Sequence, residues 1–226
     1  MAKASGGVRS RGRGAASGGN VNDITTQYPD VNLNVSQGNF PKGLNALKAL
    51  QLTGLMKDFK GNVQIEPFGD GVIVNIDGNG LRMDRRIRTT GSDKYIYNAY
   101  FRIGQNSLYA GKSLEIFTNQ VKNASKAGFN RIEVSAAGSP NDGIYNGYYT
   151  WAAYGYKPAS ASSLVSEINS KTGRSYKNWE TMMKSKQGRA DWKANGRGWS
   201  GTFDLTKGSD SFKQLGYYTK DKKNKS

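Results

Sequence analysis

Cysteine and histidine are both absent from the 226 residues. Disulfide frameworks, thiol nucleophiles, Ser-His-Asp triads and the usual zinc sites are excluded together. No apolar run reaches the length that spans a bilayer, and the amino terminus has Gly, Ser and Arg without an apolar signal-peptide core. The expectation is therefore no membrane, and a cytoplasmic protein or one carried in a particle assembled there. Acidic residues are scarce, 17 against 33 Lys and Arg, which leaves a formal net charge of +16. A surplus of that size is met most favourably by phosphates or carboxylates, so nucleic acid or another polyanion is the expected partner.

Residues 1–20 are Gly-, Ser- and Arg-rich, with too little apolar surface to offset the entropy of ordering them. Arg9, Arg11 and Arg13 there, with Lys222, Lys223 and Lys225 at the other end, are the candidate polyanion contacts. Val21 to Phe40 reads as irregular, Asn-rich chain punctuated by Pro29 and Pro41. Leu44, Leu47, Leu50, Leu55 and Phe59 predict one amphipathic helix ending at Gly61. A meander follows over Val63–Phe68, Val72–Asp77 and Leu81–Arg88, with Gly69-Asp70-Gly71 and Gly78-Asn79-Gly80 as hairpin connectors. On its third strand Leu81, Met83 and Ile87 alternate with Arg82, Asp84, Arg86 and Arg88, which predicts one apolar and one basic face.

The chain is organised around Tyr95–Tyr156. A strand with period-two alternation runs to Ile103, a small-residue loop spans Gly104–Ser113, and Leu114, Phe117, Val121 and Ala124 mark one helix face. Gly128 caps that helix and Arg131–Ala136 forms the next strand. A loop of this kind, opening a helix, suits a phosphate. Beyond it, Ser139–Tyr156 is crowded with aromatics and glycine, which stack bases, line a pocket or fill a core. Short helices are expected around Leu164–Ile168 and Tyr176–Met183, then a basic loop over Gln187–Gly198, a strand at Trp199–Leu205 and a last helix over Ser209–Tyr217. The domain boundaries expected are a basic tail at 1–20, a core at 21–158, a helical extension with a short strand at 159–218 and a basic tail at 219–226.

This order of elements, with the motifs in Gly104–Tyr156, resembles the GNAT superfamily of N-acyltransferases. Gln105 and Ala110 fit that family's Gln/Arg-x-x-Gly-x-Gly/Ala loop, with Leu108 at its middle glycine; Trp151-Ala-Ala-Tyr-Gly-Tyr156 looks like its Tyr-x-x-x-Gly-Phe ending, with Trp151 at the usual acid tyrosine. The resemblance implies an α/β (α+β) fold: a mixed sheet in which an antiparallel meander precedes loop, helix and strand, with helices on both faces. It implies acetyl-CoA or another acyl-CoA held by Gln105, Ser107, Ala110, Gly111, Lys112 and Ser113. Tyr149 or Tyr148 would donate the proton, and Tyr100, Tyr145 and Trp151 would line the acceptor pocket. The opening Met-Ala-Lys-Ala-Ser-Gly-Gly also looks like openings of phage and prophage proteins.

Three other readings stay open. Asn106–Ser113 is a Walker A pattern with Asn for its first Gly, although an antiparallel meander precedes it. Asp77 and Glu115 could serve a metal-dependent, ribonuclease-H-like nuclease, although Ser135, Ala136 and Ala137 stand where a further acid belongs. The last is a basic nucleic-acid-binding or virion-associated protein without catalysis.

Overall fold

The computed structural model describes residues 21–223. Arg9, Arg11, Arg13 and Lys225 lie outside the described residues, as does the side chain of Lys223. The fold is mixed α/β. Its elements are α1 (Val21–Gln27), β1 (Val31–Val35), α2 (Ala46–Gln51), β2 (Gly61–Phe68), β3 (Gly71–Gly78), β4 (Leu81–Thr90), β5 (Asp93–Ile103), α3 (Ser113–Lys126), β6 (Arg131–Ala136), α4 (Gly147–Ala153), β7 (Lys157–Pro158), α5 (Ala161–Thr172), α6 (Trp179–Lys184), α7 (Lys186–Asn195), β8 (Trp199–Asp204) and α8 (Asp210–Lys223). The strands form one mixed sheet in the order β1-β2-β3-β4-β5-β6-β8-β7. Two compact units divide the described chain, one holding residues 21–93 with Tyr100–Asn123, the other Lys94–Ala99 with residues 124–223.

In the first unit, β2, β3 and β4 are the expected antiparallel meander. Asn79 (φ 49°) and Gly80 (φ 79°) both take positive φ in the turn between β3 and β4, the conformation that lets a two-residue hairpin follow the sheet twist. One face is apolar: buried Val63, Ile76 and Met83 stand side by side in one row, and in another Val72 and Ile87 are buried beside the half-buried Pro67. The helix expected from Leu44 to Gly61 is only α2, capped by Asn45, whose side chain accepts from the Lys48 N–H at 2.8 Å. Gly54 ends that run of chain at φ +80°, and a Cβ there would stand 2.1 Å from the Ile116 carbonyl oxygen. Leu55 and Phe59 are buried from turns instead.

Val21–Phe40 is not irregular. Ile24, Tyr28 and Val31 are buried, α1 carries the first of them, and β1 pairs with β2 in parallel from Val31↔Gly61 to Val35↔Ile65. Asparagine is a poor strand former, but Asn32 and Asn34 alternate with Val31, Leu33 and Val35, and sheet pairing overrides the local preference. The opposite face of these strands carries exposed polar side chains rather than the helix layer expected on both faces.

The second unit closes around tryptophan. Trp192 and Trp199 both donate their indole N–H to the Tyr148 carbonyl oxygen, at 2.9 and 2.8 Å, and Trp179 donates to the Tyr156 carbonyl oxygen at 3.1 Å. Buried indoles need such partners, and through them α6, α7 and β8 are tied to α4 and its exit. The basic loop expected at Gln187–Gly198 is the helix α7: Ser185 caps it by accepting from the Gly188 N–H at 2.8 Å, and Trp192 anchors it in the core. The last helix also runs past Tyr217 to Lys223. What reads as a lysine-rich tail is helical because Asp221 pairs with Arg189, which is buried and also donates to the Met183 and Lys184 carbonyl oxygens at 2.7 and 2.9 Å.

Candidate functional site

The candidate phosphate loop lies in the first unit. Part of its backbone closes on itself: the N–H groups of Ser107, Ala110 and Lys112 donate to the carbonyl oxygens of Gly104, Ser107 and Tyr109, at 3.1, 3.1 and 2.9 Å. Ser107 fastens the loop to the neighbouring hairpin by donating its hydroxyl to the Asn79 carbonyl oxygen at 2.7 Å, and its Oγ accepts from the Tyr109 N–H at 3.0 Å. Tyr109 is buried against Phe59, and its hydroxyl accepts from the Lys60 N–H at 3.0 Å. The loop is thus a folded series of turns rather than a ring of open donors.

What remains suited to a phosphate is the start of α3. The Ile116 N–H donates to the Lys112 carbonyl oxygen at 3.0 Å, and the amides of Leu114 and Glu115 precede that bond in the 14-residue helix. Gln105, Ala110, Gly111 and Lys112 are exposed, and Gly111 holds φ +79°. Lys112 pairs with Glu115 at 3.0 Å on the surface, an exposed pair that is cheap to reopen. Leu108, at the family's middle glycine, is 75% exposed. Asp77 is paired with Arg82 at 3.6 Å, so both carboxylates of the nuclease reading already have cations of their own. Among the described residues no group of three or more acids is placed to hold a metal ion.

The aromatic candidates lie in the second unit, apart from Tyr100, which lines a polar groove of the first beside Asp84. Tyr148 and Trp151 are core residues. The Tyr148 hydroxyl donates to the Lys193 carbonyl oxygen at 2.6 Å, and Trp151 packs edge-on against Tyr154 and Tyr156. Tyr149, one residue along α4, is half-buried, with the Lys193 ammonium 5.6 Å from its ring centre. Burial pushes the Tyr149 phenol up, the Tyr218 phenol adds to this, and Arg189 and Lys222 oppose it. It therefore stays protonated through the ordinary pH range and keeps a proton to donate. Tyr145 is exposed in a loop that Asp142 pins by accepting from the Tyr145 and Ile144 N–H groups, at 2.9 and 2.8 Å.

The basic face expected on β4 is a mixed one. Arg82 pairs with Asp77, and Arg88 pairs with Asp70 and stacks 4.4 Å from the Phe68 ring centre, while Arg86 is exposed. The alternation of β4 turns Arg85 inward, where it is 1% exposed and donates to the Tyr100 carbonyl oxygen at 2.8 Å. Its odd position, in step with Met83 and Ile87, is the sequence signal for that burial. Compared with known proteins, the chain matches no family model, no curated protein and no solved structure.

Proposed function

We propose that the chain is an acyl-CoA-dependent N-acyltransferase of GNAT type. The observation that carries this reading is the pairing of β5 with β6. Those strands are parallel, are joined through the loop and α3, and share a ladder of four pairs that stops at Asn98↔Val134, while β6 continues to Ala136. There Ser135 and Ala136 stay paired with β8 on the other side, and a backbone amide on the edge that β5 has left is a fixed donor, suited to a carbonyl oxygen that gains charge during acyl transfer.

A bound thioester supplies an activated acyl group. The residues that fit its phosphates are Gly111, Lys112 and Ser113 at the start of α3. Tyr148 is committed to a carbonyl, so Tyr149 is the phenol of the pair left to pass its proton to the departing sulfur. As the substrate nitrogen bonds to the carbonyl carbon and the carbon–sulfur bond breaks, the surplus proton on nitrogen would leave to solvent and a proton from solvent would restore the Tyr149 phenol. The test is calorimetry with acetyl-CoA and longer acyl-CoAs. Lys112→Glu is expected to abolish binding while circular dichroism stays native, and unchanged affinity would sink the assignment.

A second reading, binding to a polyanion, is favoured by three lysines of the second unit seated over tyrosine rings. Lys184 lies 5.0 Å from the Tyr217 ring centre, Lys193 5.6 Å from Tyr149 and Lys222 5.6 Å from Tyr218. Tyr217 is exposed and the other two rings are half-buried, so the cluster offers a nucleic acid charges for its phosphates and, at Tyr217, a stacking surface for a base. Replacing Lys193 and Lys222 by alanine should then lower the slope of log affinity against log salt by about one unit for each phosphate no longer neutralised.

A further inference from the structure

We propose that the open face of β1–β4, bounded by Tyr100 of β5, binds a neutral sugar chain. The register aligns two rows of polar side chains across four strands. Asn34, Gln64, Asn75 and Asp84 make one row, and Asn32, Asn62, Asp77 and Arg82 make the other. Together they line a groove of about 690 Å³, within the range of small-ligand sites. From β1 to β5 it spans about 19 Å at the usual strand spacing, room for a short oligosaccharide.

The chemistry of the lining selects the occupant. Five of these eight side chains are primary amides. Each offers donors and an acceptor side by side, as a sugar hydroxyl both donates and accepts. Asn32 and Asn62 show the pattern between themselves, with the Asn32 amide donating to the Asn62 side-chain oxygen at 2.9 Å. Asp84 Oδ1 is shielded from solvent and accepts no hydrogen bond from the described residues. A buried carboxylate oxygen left so is costly, and a ligand hydroxyl donating to it would relieve the cost. Tyr100 adds a ring on which the C–H face of a sugar can lie.

Charge argues against a nucleic acid in this place. Arg82 is already paired with Asp77, and Asp84 leaves the groove with one more carboxylate than guanidinium, in a chain whose net charge is +16. A phosphate backbone would meet net repulsion here. The groove's occupant should therefore be uncharged, and its binding insensitive to salt.

Cellohexaose, maltohexaose, mannohexaose and chitohexaose, titrated into the isotope-labelled chain, provide the test. At least one is expected to shift the amide resonances of β1–β4 in fast exchange, equally at low and high salt. The double variant Gln64→Ala/Asn75→Ala, at an exposed and a half-buried amide, should weaken that binding by about tenfold, the loss of two hydrogen bonds, with the remaining spectrum unchanged. Asp84→Ala should also weaken it, and should raise rather than lower the melting temperature. No shift with any of the four sugars would overturn the proposal, as would binding that survives the double variant. So would displacement of the sugar by an oligothymidylate, which would make the face a nucleic-acid surface.

Discussion

The side-chain amide of Asn98, on β5, donates to the hydroxyl oxygen of Tyr156 at 3.0 Å, and both residues are buried. This bond joins the strand of the proposed acyl site to the last residue of the aromatic ending. Tyr156 also rests edge-on against Trp151 and Phe203, so its ring and its hydroxyl have separate tasks. Tyr156→Phe keeps the ring and deprives the Asn98 amide of an acceptor. A loss of about 1–3 kcal/mol is expected, read as a lower urea midpoint with an unchanged slope.

Trp151 and Tyr149 separate packing from chemistry. Trp151→Ala removes a buried indole and should cost about 3–5 kcal/mol in chemical unfolding. Tyr149→Phe removes one hydroxyl from a half-buried ring and should leave stability within about 0.5 kcal/mol of the parent. If the acyltransferase reading holds, the same change removes turnover. Transfer that persists undiminished in Tyr149→Phe would take Tyr149 out of the mechanism.

The raised Tyr149 phenol has a pH signature. A proton donor whose value lies above the ordinary phenol range keeps its proton as the solution becomes alkaline, so the alkaline limb of acyl transfer should lie above that range. Profiles of kcat against pH, taken with an acceptor amine that does not itself titrate in that window, would show it. A fall near neutrality would assign the proton to another group.

Asp70 links stability to acid. Hydrogen bonds from Thr90 and Arg88 hold its carboxyl below the usual aspartate value. A depressed folded value means the contribution is present above the unfolded value and is lost as pH falls through the folded one. Asp70→Asn should therefore lower the urea midpoint at neutral pH and make little difference in strong acid, where both forms are uncharged. An equal loss at both pH values would show that the hairpin needs the hydrogen bonds and not the charge.

Asp221 tests the carboxyl end. Asp221→Ala removes the carboxylate from Arg189, which is buried, and should cost about 1–3 kcal/mol. A tail free of the fold would give no change, and removal of residues 219–226 as though they were a tail would then be harmless.

The meander, its Asn-Gly turn, α3 and β6 are legible in the sequence because each is local. Alternation, helix spacing and turn glycines lie within a few residues of one another, and intrinsic preference and burial agree there. The loop motif is equally visible, but which amides it leaves open is not, since that depends on turns closed by Ser107 and on Tyr109 reaching Lys60. Residues 21–40 and 187–198 mislead for one reason. Asn-rich β1 has weak strand preference and α7 is interrupted by Gly188 and Asp191, and both become regular where β2 supplies a ladder and Trp192 a buried anchor. The two polar rows of the groove show the division most plainly. Each amide is readable as an outward residue of its own strand. Only the register of four strands, set by turns and by a parallel pairing far along the chain, stands Asn34, Gln64, Asn75 and Asp84 abreast.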